Sequence, residues 1–408
     1  MKISLVEKGA GFKSGLGELS KHLNAKTITS GIISTIFGCT GPALVTINAA
    51  TTAGYSTAEI VSWIFGIYVF GGLLGCILAL YYKLPISGAF SIPGASMMGA
   101  ALMGYSFSEA AGAFVLAGVL VLILGLTGFI GKVMRWLPLP IVMGMIGGCM
   151  LRFGSGIVAN SIEDPIVCGT SVLAFLLVPR IIKKFPGVLA ALIAGVVAAI
   201  ATGAFAPASG ALGYIPPQLV IPKFNPALIL SCSVPLAALV IGAENAQAIG
   251  VLYTQGYKPP INAMTIFSGI GGIVSGLVGA HNANIAGPMT AICSSDEAGE
   301  KDGRYVASVV NGITFAAFGL VGSFAIAFVS FIPSSLVNVL AGLAMINVLI
   351  QSFNEGFKTM KYKTGAFAAL VVGVANQSIL GIGAAFWALV IGVVVALICD
   401  GKDFKESN

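Results

Sequence analysis

Charge is the scarcest property of this sequence. Asp, Glu, Lys and Arg supply 9% of its 408 residues, against about 25% in soluble domains, so a water-exposed globule would lack the polar surface it needs. That shortage excludes a soluble enzyme, a disordered chain and a fibrous one. Histidine is nearly missing, with two in all, and no Cys/His spacing suits a metal. The seven cysteines lie mostly inside apolar runs (Cys39, Cys76, Cys149, Cys232, Cys399), without a CxxC pair, and read as small buried hydrophobes. No GKS or GKT phosphate loop, HExxH helix or nucleophile elbow occurs, so no enzyme, ATP coupling or resident cofactor is expected. The net charge of +6 fits loops facing anionic lipid and carries no sign of nucleic acid.

What is abundant points to the bilayer. Hydrophobic residues make up 57% of the chain, and mean hydropathy is +0.98. Its 54 glycines and 18 prolines suit membrane helices, which carry more of both than soluble ones. Apolar stretches near the roughly 20 residues that cross a hydrocarbon core run 27–50, 59–81, 86–103, 109–134, 139–157, 165–182 and 188–205. Seven more run 226–252, 263–280, 282–295, 306–331, 335–353, 365–377 and 382–400, for fourteen membrane elements of an all-α polytopic protein. With the N-terminus inside, nineteen of the twenty-one Lys and Arg fall on the cytoplasmic side and only Arg152 and Lys223 outside, the bias that sets orientation. Residues 1–26 hold five lysines and no apolar core, a cytosolic leader and not a signal peptide; His22 there reads as solvated. Residues 401–408 form a cytosolic tail, and the expected location is the cell (inner) membrane with both termini cytoplasmic. Ser56 with Glu59 and Ser106 with Glu109 read as capping boxes, and Glu163 and Asp164 precede Pro165 as helix-start acids.

The two halves echo each other. Gly118 and GLTG at 125–128, ahead of Pro138 and Gly148, recur as Gly312 and GLVG at 319–322, ahead of Pro333 and Gly342. AGY at 53–55 echoes QGY at 255–257, and IPGA at 92–95 echoes IAGP at 285–288. Their shared order implies a repeat of seven elements, 27–222 and 223–400. Seven is odd, so the second copy is inverted, as in secondary transporters, where matching interrupted segments mark the binding site. Here the third and tenth elements are interrupted. Each has an irregular start, then a short helix opened by Pro93-Gly94 or Gly287-Pro288. Irregular backbone at membrane depth persists only where it is buried or lines a cavity. Two helix N-termini aimed at one midplane cavity would suit a carboxylate or another electron-rich group. Ser91, Gly94, Ala95 and Ser96 would offer N–H groups and hydroxyls on one side, Gly287 on the other; the alternative is close helix packing.

Glu244 is the only carboxylate in the middle of a predicted span. A charge there costs about 2.5–3.5 kcal/mol on insertion scales, so such a residue usually faces a cavity or a proton path. It is the candidate proton carrier, or else a neutral acid tying two helices; His281 is the second candidate. Asn245, Gln247, Asn282 and Asn284 are candidate donors to substrate oxygens or interhelical ties. Phe37, Phe90 and Tyr253 are candidate ring-stacking partners, or else core or lipid-facing residues.

LVGAHNANIAGPMTAICSSDEAGEKDGRYVA, PSSLVNVLAGLAMI and GIGAAFWALVIG, with IPGASMMGAAL and GYKPP, resemble the benzoate:proton symporter (BenE) family over 27–398. That resemblance implies kinship with nucleobase and ascorbate permeases and a fourteen-element, seven-plus-seven inverted fold. It also implies a core domain (elements one to four and eight to eleven), a gate domain (five to seven and twelve to fourteen), and a possible homodimer. Where benzoate-type members carry Gln-Asn-x-Pro-Gly in element eight, this chain reads GAENAQAIG. A glutamate there resembles the nucleobase permeases, whose element-ten glutamate has no counterpart here. The expected function is proton-coupled symport of a small aromatic carboxylate by alternating access. The alternatives are a nucleobase-like heterocycle permease and an anion channel.

Overall fold

A bilayer offers the backbone no hydrogen bonds, so a spanning chain must make them within helices. The computed structural model describes residues 6–128, 138–183, 185, 187–204, 213–377, 379 and 384–406. Among these residues, six helices are long and apolar enough to cross a membrane: α1 (Ala25–Thr52), α2 (Thr57–Tyr82), α4 (Phe107–Leu126), α5 (Leu139–Glu163), α8 (Pro226–Tyr253) and α12 (Ser334–Phe357). Shorter helices are α3 (Ile92–Ala101), α6 (Pro165–Ile181), α7 (Gly187–Thr202), α9 (Ile261–Gly276) and α10 (Gly287–Ser294). They continue with α11 (Tyr305–Leu320, followed by Gly322–Phe331), α13 (Lys363–Ala375) and α14 (Ala384–Cys399). Each expected stretch therefore holds a helix. The expected limits at Met134, Phe205 and Ile382, and Lys2, Lys132, Arg135 and Lys184, lie outside the described residues.

Two departures matter. The protein is not purely helical: β1 (Gly88–Ala89) precedes α3, β2 (Asn284–Ile285) precedes α10, and the two pair antiparallel. The second is irregular helix at three places, π-type turns at Gly66–Phe70, Ile229–Ser233 and Val240–Asn245. Helix α1 also breaks at Thr40, ahead of Gly41-Pro42. Proline has no N–H and clashes with the carbonyl four residues back. That carbonyl, of Gly38, instead accepts the Tyr68 hydroxyl at 2.6 Å.

Both capping boxes form, Ser56 with Glu59 and Ser106 with Glu109. Asp164 caps α6 through the Val167 N–H at 3.2 Å, whereas Glu163 is the last residue of α5. Gly54 and Gly256 of the echoed tripeptides end their helices alike, with φ of 85° and 74°. The seven cysteines are free, and Cys399 is exposed, not buried.

Helices α4 and α9 lie together, as do α11 with α2 and α1, α3 with α1, and α10 with α8. A second group joins α5 to α12 and α13, α13 to α14, and α6 to α7 and α12. The groups meet where α1 touches α12 and where α3 touches α5. The leader packs on the first group. The Glu7 carboxylate accepts the Asn262 and Ala263 N–H groups at 2.9 Å, at the start of α9, and Tyr305 donates to the Gly15 carbonyl at 2.8 Å. The Lys83 ammonium, 2.8 Å from Glu18, holds that carboxyl below its usual range. His22 is not simply solvated: it lies edge-on to Tyr305, ring centres 6.2 Å apart.

Strand β1 reaches its partner because α2 presents glycine to it. A Cβ on Gly71 would lie 2.6 Å from the Ala89 carbonyl oxygen, and one on Gly75 would lie 2.5 Å from the Gly88 nitrogen. Gly75→Val should therefore destabilise the protein by about 1–3 kcal/mol through overpacking. Thermal unfolding in detergent checks this, and an unchanged midpoint would show that β1 can move aside freely.

Candidate functional site

The irregular starts of the third and tenth elements cross, and side chains seal the crossing. Register pairs Gly88 with Ile285 and Ala89 with Asn284. Beyond the ladder, the Ser91 N–H donates to Asn282 Oδ1 at 3.1 Å, and His281 Nε2 lies 2.9 Å from the Ser91 carbonyl. The Trp63 indole N–H meets His281 Nδ1 at 2.8 Å. An indole can only donate, so Nδ1 accepts and the ring proton sits on Nε2, directed at Ser91. Trp63, Phe90 and Phe114 surround the imidazole with ring centres 5.8, 5.7 and 6.3 Å away. All of this is buried.

Helix α3 then starts with its own cap, the Ser91 hydroxyl accepting the Gly94 N–H at 3.1 Å. Glu244 lies on the π-type turn of α8, 6% exposed, its carboxyl facing the Ser91 side chain and the Gly287 backbone N–H. It thus sits between the first residues of α3 and α10, where both helix dipoles favour negative charge. Beside it is a cavity of about 10 Å³, lined by Phe37, Phe90, Ile92, Glu244, Pro288 and Met289. That is room for about one water molecule.

The structure therefore brings Ser91, Glu244, Gly287, Phe37 and Phe90 together. Other residues chosen from the sequence have partners of their own. Asn245 Oδ1 accepts from Ser268 Oγ at 3.1 Å, which ties α8 to α9. Gln247 Nε2 donates to Gln351 Oε1 at 3.0 Å, across to α12. Ser96 Oγ donates to the Pro93 carbonyl at 3.1 Å, one turn into α3, and Ala95 is buried on the same helix. A Cβ on Gly94 would lie 2.8 Å from Leu236. Asn284 is fully buried, and neither of its side-chain amide atoms has a hydrogen-bond partner among the described residues. Tyr253 is 54% exposed on the outer surface of α8.

Trp63 and Gln351 were missed. The signal for Trp63 was a tryptophan inside a span, whose N–H needs a partner when buried. Gln351 offered only a lone amide near the end of an apolar stretch.

A buried acid held between the N-termini of two crossed half-helices, in a polytopic helical fold, defines a membrane transporter. The fold matches the transmembrane domain of a cyanobacterial bicarbonate transporter, BicA, with a TM-score of 0.62 at 12% identity, covering 92% of this chain and 98% of that one. It also matches SLC26A9, with a TM-score of 0.62 at 14% identity, over 94% of this chain and 67% of that one. Residues 21–398 match the BenE family, described as benzoate membrane transport protein, and the chain belongs to it. One relative, inner membrane protein YdcO of Escherichia coli (strain K12), is 31% identical over 92% of this chain and 97% of its own. Another, the benzoate membrane transport protein of Acinetobacter baylyi, is 24% identical over 94% and 97%.

Replacing the imidazole strands the buried Trp63 N–H and removes one of the two donors to the Ser91 carbonyl, which keeps the Ala95 N–H at 2.9 Å. An unsatisfied buried group costs about 1–3 kcal/mol. His281→Ala should lower the thermal midpoint more than Tyr253→Ala does, as measured on detergent-solubilised protein. Equal midpoints would mean that the imidazole does not hold the crossing.

Proposed function

We propose that the protein imports a small aromatic carboxylate, of the benzoate kind, together with a proton. The observation that carries this reading is the place of Glu244, facing Ser91 and Gly287 at the starts of both half-helices. An ionised Glu244 occupies the electropositive spot that a substrate carboxylate needs. Two such charges 5 Å apart at an effective dielectric of 20 repel by about 3 kcal/mol. Protonation removes the repulsion and frees both helix ends, so proton and anion bind together, which is the linkage symport requires. The aromatic walls Phe37 and Phe90 suit the ring of such an acid. The name of the Acinetobacter baylyi relative, benzoate membrane transport protein, points the same way.

A cavity of about 10 Å³ is far too small for an aromatic ring, so substrate enters a conformation in which the two helix groups have moved apart. In this reading the group of α1–α4 and α8–α11 is the core, and that of α5–α7 and α12–α14 is the gate. Each group draws on both halves, α1–α7 and α8–α14, of an inverted seven-plus-seven repeat, and the core rocks against the gate in alternating access. His281 serves as a positioning residue, because its Nδ1 already accepts from Trp63 and has no lone pair free for a second proton. An inner-membrane location with both termini cytoplasmic, pairing of two copies, and kinship with nucleobase permeases through Glu244 belong to the same proposal.

Purified protein in liposomes should accumulate labelled benzoate when the outside is made acidic, and binding should strengthen as pH falls. Glu244→Gln should keep benzoate exchange and lose the gradient-driven accumulation. Binding that remains pH-dependent in that variant would assign the proton to another group. Competition by uracil or xanthine, with none by benzoate, would favour the heterocycle reading.

A further inference from the structure

One turn along α3 from the central cavity lies a second and larger one, of about 230 Å³, between the two helix groups. Its walls carry Asn48 and Thr52 of α1, Ser96 of α3, Arg152 and Asn160 of α5, and Asn338 of α12. The amides form a chain across the boundary: Asn48 Nδ2 donates to Asn338 Oδ1 at 2.7 Å, and Asn338 Nδ2 to Asn160 Oδ1 at 3.3 Å. Arg152 is the one cation in this lining. Among the described residues its guanidinium has no carboxylate partner, and the one hydrogen bond of that group runs from Nη2 to the Ser96 carbonyl at 2.9 Å. Its side chain is solvent-accessible, with the guanidinium 5.0 Å from the centre of the Phe153 ring.

A guanidinium has five N–H donors in a planar fork that matches a carboxylate. A cation without a counter-ion beside an apolar span is costly unless something pairs with it. The chamber supplies the space, the amides supply further polar contacts, and the ring of Phe153 supplies an aromatic wall. By contrast the buried Arg304 spends its donors on the carbonyls of Gly299 and Ser294 and on Asp296. Arg152 therefore has unused donors where Arg304 has few.

We infer that the Arg152 chamber is an entry site for the substrate carboxylate, one that collects the anion before it moves along α3 to Glu244. The inference rests on the aromatic-carboxylate reading above. Occupation has a mechanical corollary: an anion on the guanidinium competes with the Ser96 carbonyl, and so loosens a contact between α5 and α3. A cleft carrying one sign of charge also raises the local concentration of anions and makes their capture salt-dependent.

The test is benzoate uptake by native protein, Arg152→Gln and Arg152→Lys in liposomes, over a range of salt concentration. Gln retains a donor for the Ser96 carbonyl but has no charge; Lys retains the charge. We expect KM to rise roughly tenfold in Arg152→Gln, the scale of one lost charge-assisted hydrogen bond. The rate at saturation should stay within about twofold, and the salt dependence should vanish. Arg152→Lys should keep a salt-dependent KM near the native value. An Arg152→Gln KM equal to native, or one that keeps its salt dependence, overturns the inference and leaves the proposed function standing. Should Arg152→Gln fail to fold, phenylglyoxal modification of Arg152 in the native protein, followed by mass spectrometry, decides: benzoate must slow it. If native protein neither binds nor carries benzoate, the functional reading fails. The chamber is then tested alone by protection with acetate, and no protection ends the entry-site idea.

Discussion

Everything in the centre of this protein depends on how the backbone of Ser91 is satisfied. Its N–H goes to Asn282 Oδ1 and its carbonyl receives the His281 ring, so two neighbouring residues of the tenth element hold both polar groups of one residue in the third. A chain that leaves helical geometry within a bilayer has no water to turn to. Without this clamp and the two-pair ladder beside it, neither α3 nor α10 could begin where it does. Trp63 extends the support outward by fixing the tautomer through Nδ1.

The same crossing creates a rivalry. Two helix ends favour negative charge, and the chain places an acid of its own, Glu244, facing them beside a pocket with space for about one water. In the proposed cycle an ionised Glu244 competes with the substrate anion until it is neutralised. The π-type turn Val240–Asn245 is part of this arrangement, since one extra residue in the turn changes the direction in which Glu244 leaves the helix; such turns recur at functional sites. The polar bridges between the helix groups, Gln247 to Gln351 and Asn48 to Asn338, join groups whose separation the proposed cycle requires. Hydrogen bonds between neutral amides are net-weak ties, about 0.5–1.5 kcal/mol each, well matched to contacts that break and reform.

Most of the helical layout was legible because hydropathy and glycine–proline punctuation are strong signals over twenty residues. The capping boxes at Ser56 and Ser106 were legible because they are local chemistry. What escaped was short or non-local. A two-residue strand leaves no period to detect. The π-type turns follow from packing, and their residues look like any helix. Glu163 reads as a helix-start acid until α5 is seen to continue through it. Of these four amides, Asn282 holds backbone, Asn245 and Gln247 tie helices, and the Asn284 side chain has no partner among the described residues. Residue type announced a polar centre, yet only the crossing assigns each amide its neighbour.

The ladder of Gly88–Ile285 and Ala89–Asn284 is two residue pairs long, and its sides alternate with a period of two. Sliding either strand by one position would turn Asn284 to where Ile285 now packs, and would carry His281 and Asn282 off Ser91. Evolution can therefore exchange side chains around this centre more easily than it can insert or delete a residue between Lys83 and Ser91 or between Gly279 and Gly287. Spacing in those two stretches is as much a functional property of the polypeptide as the identity of its buried acid.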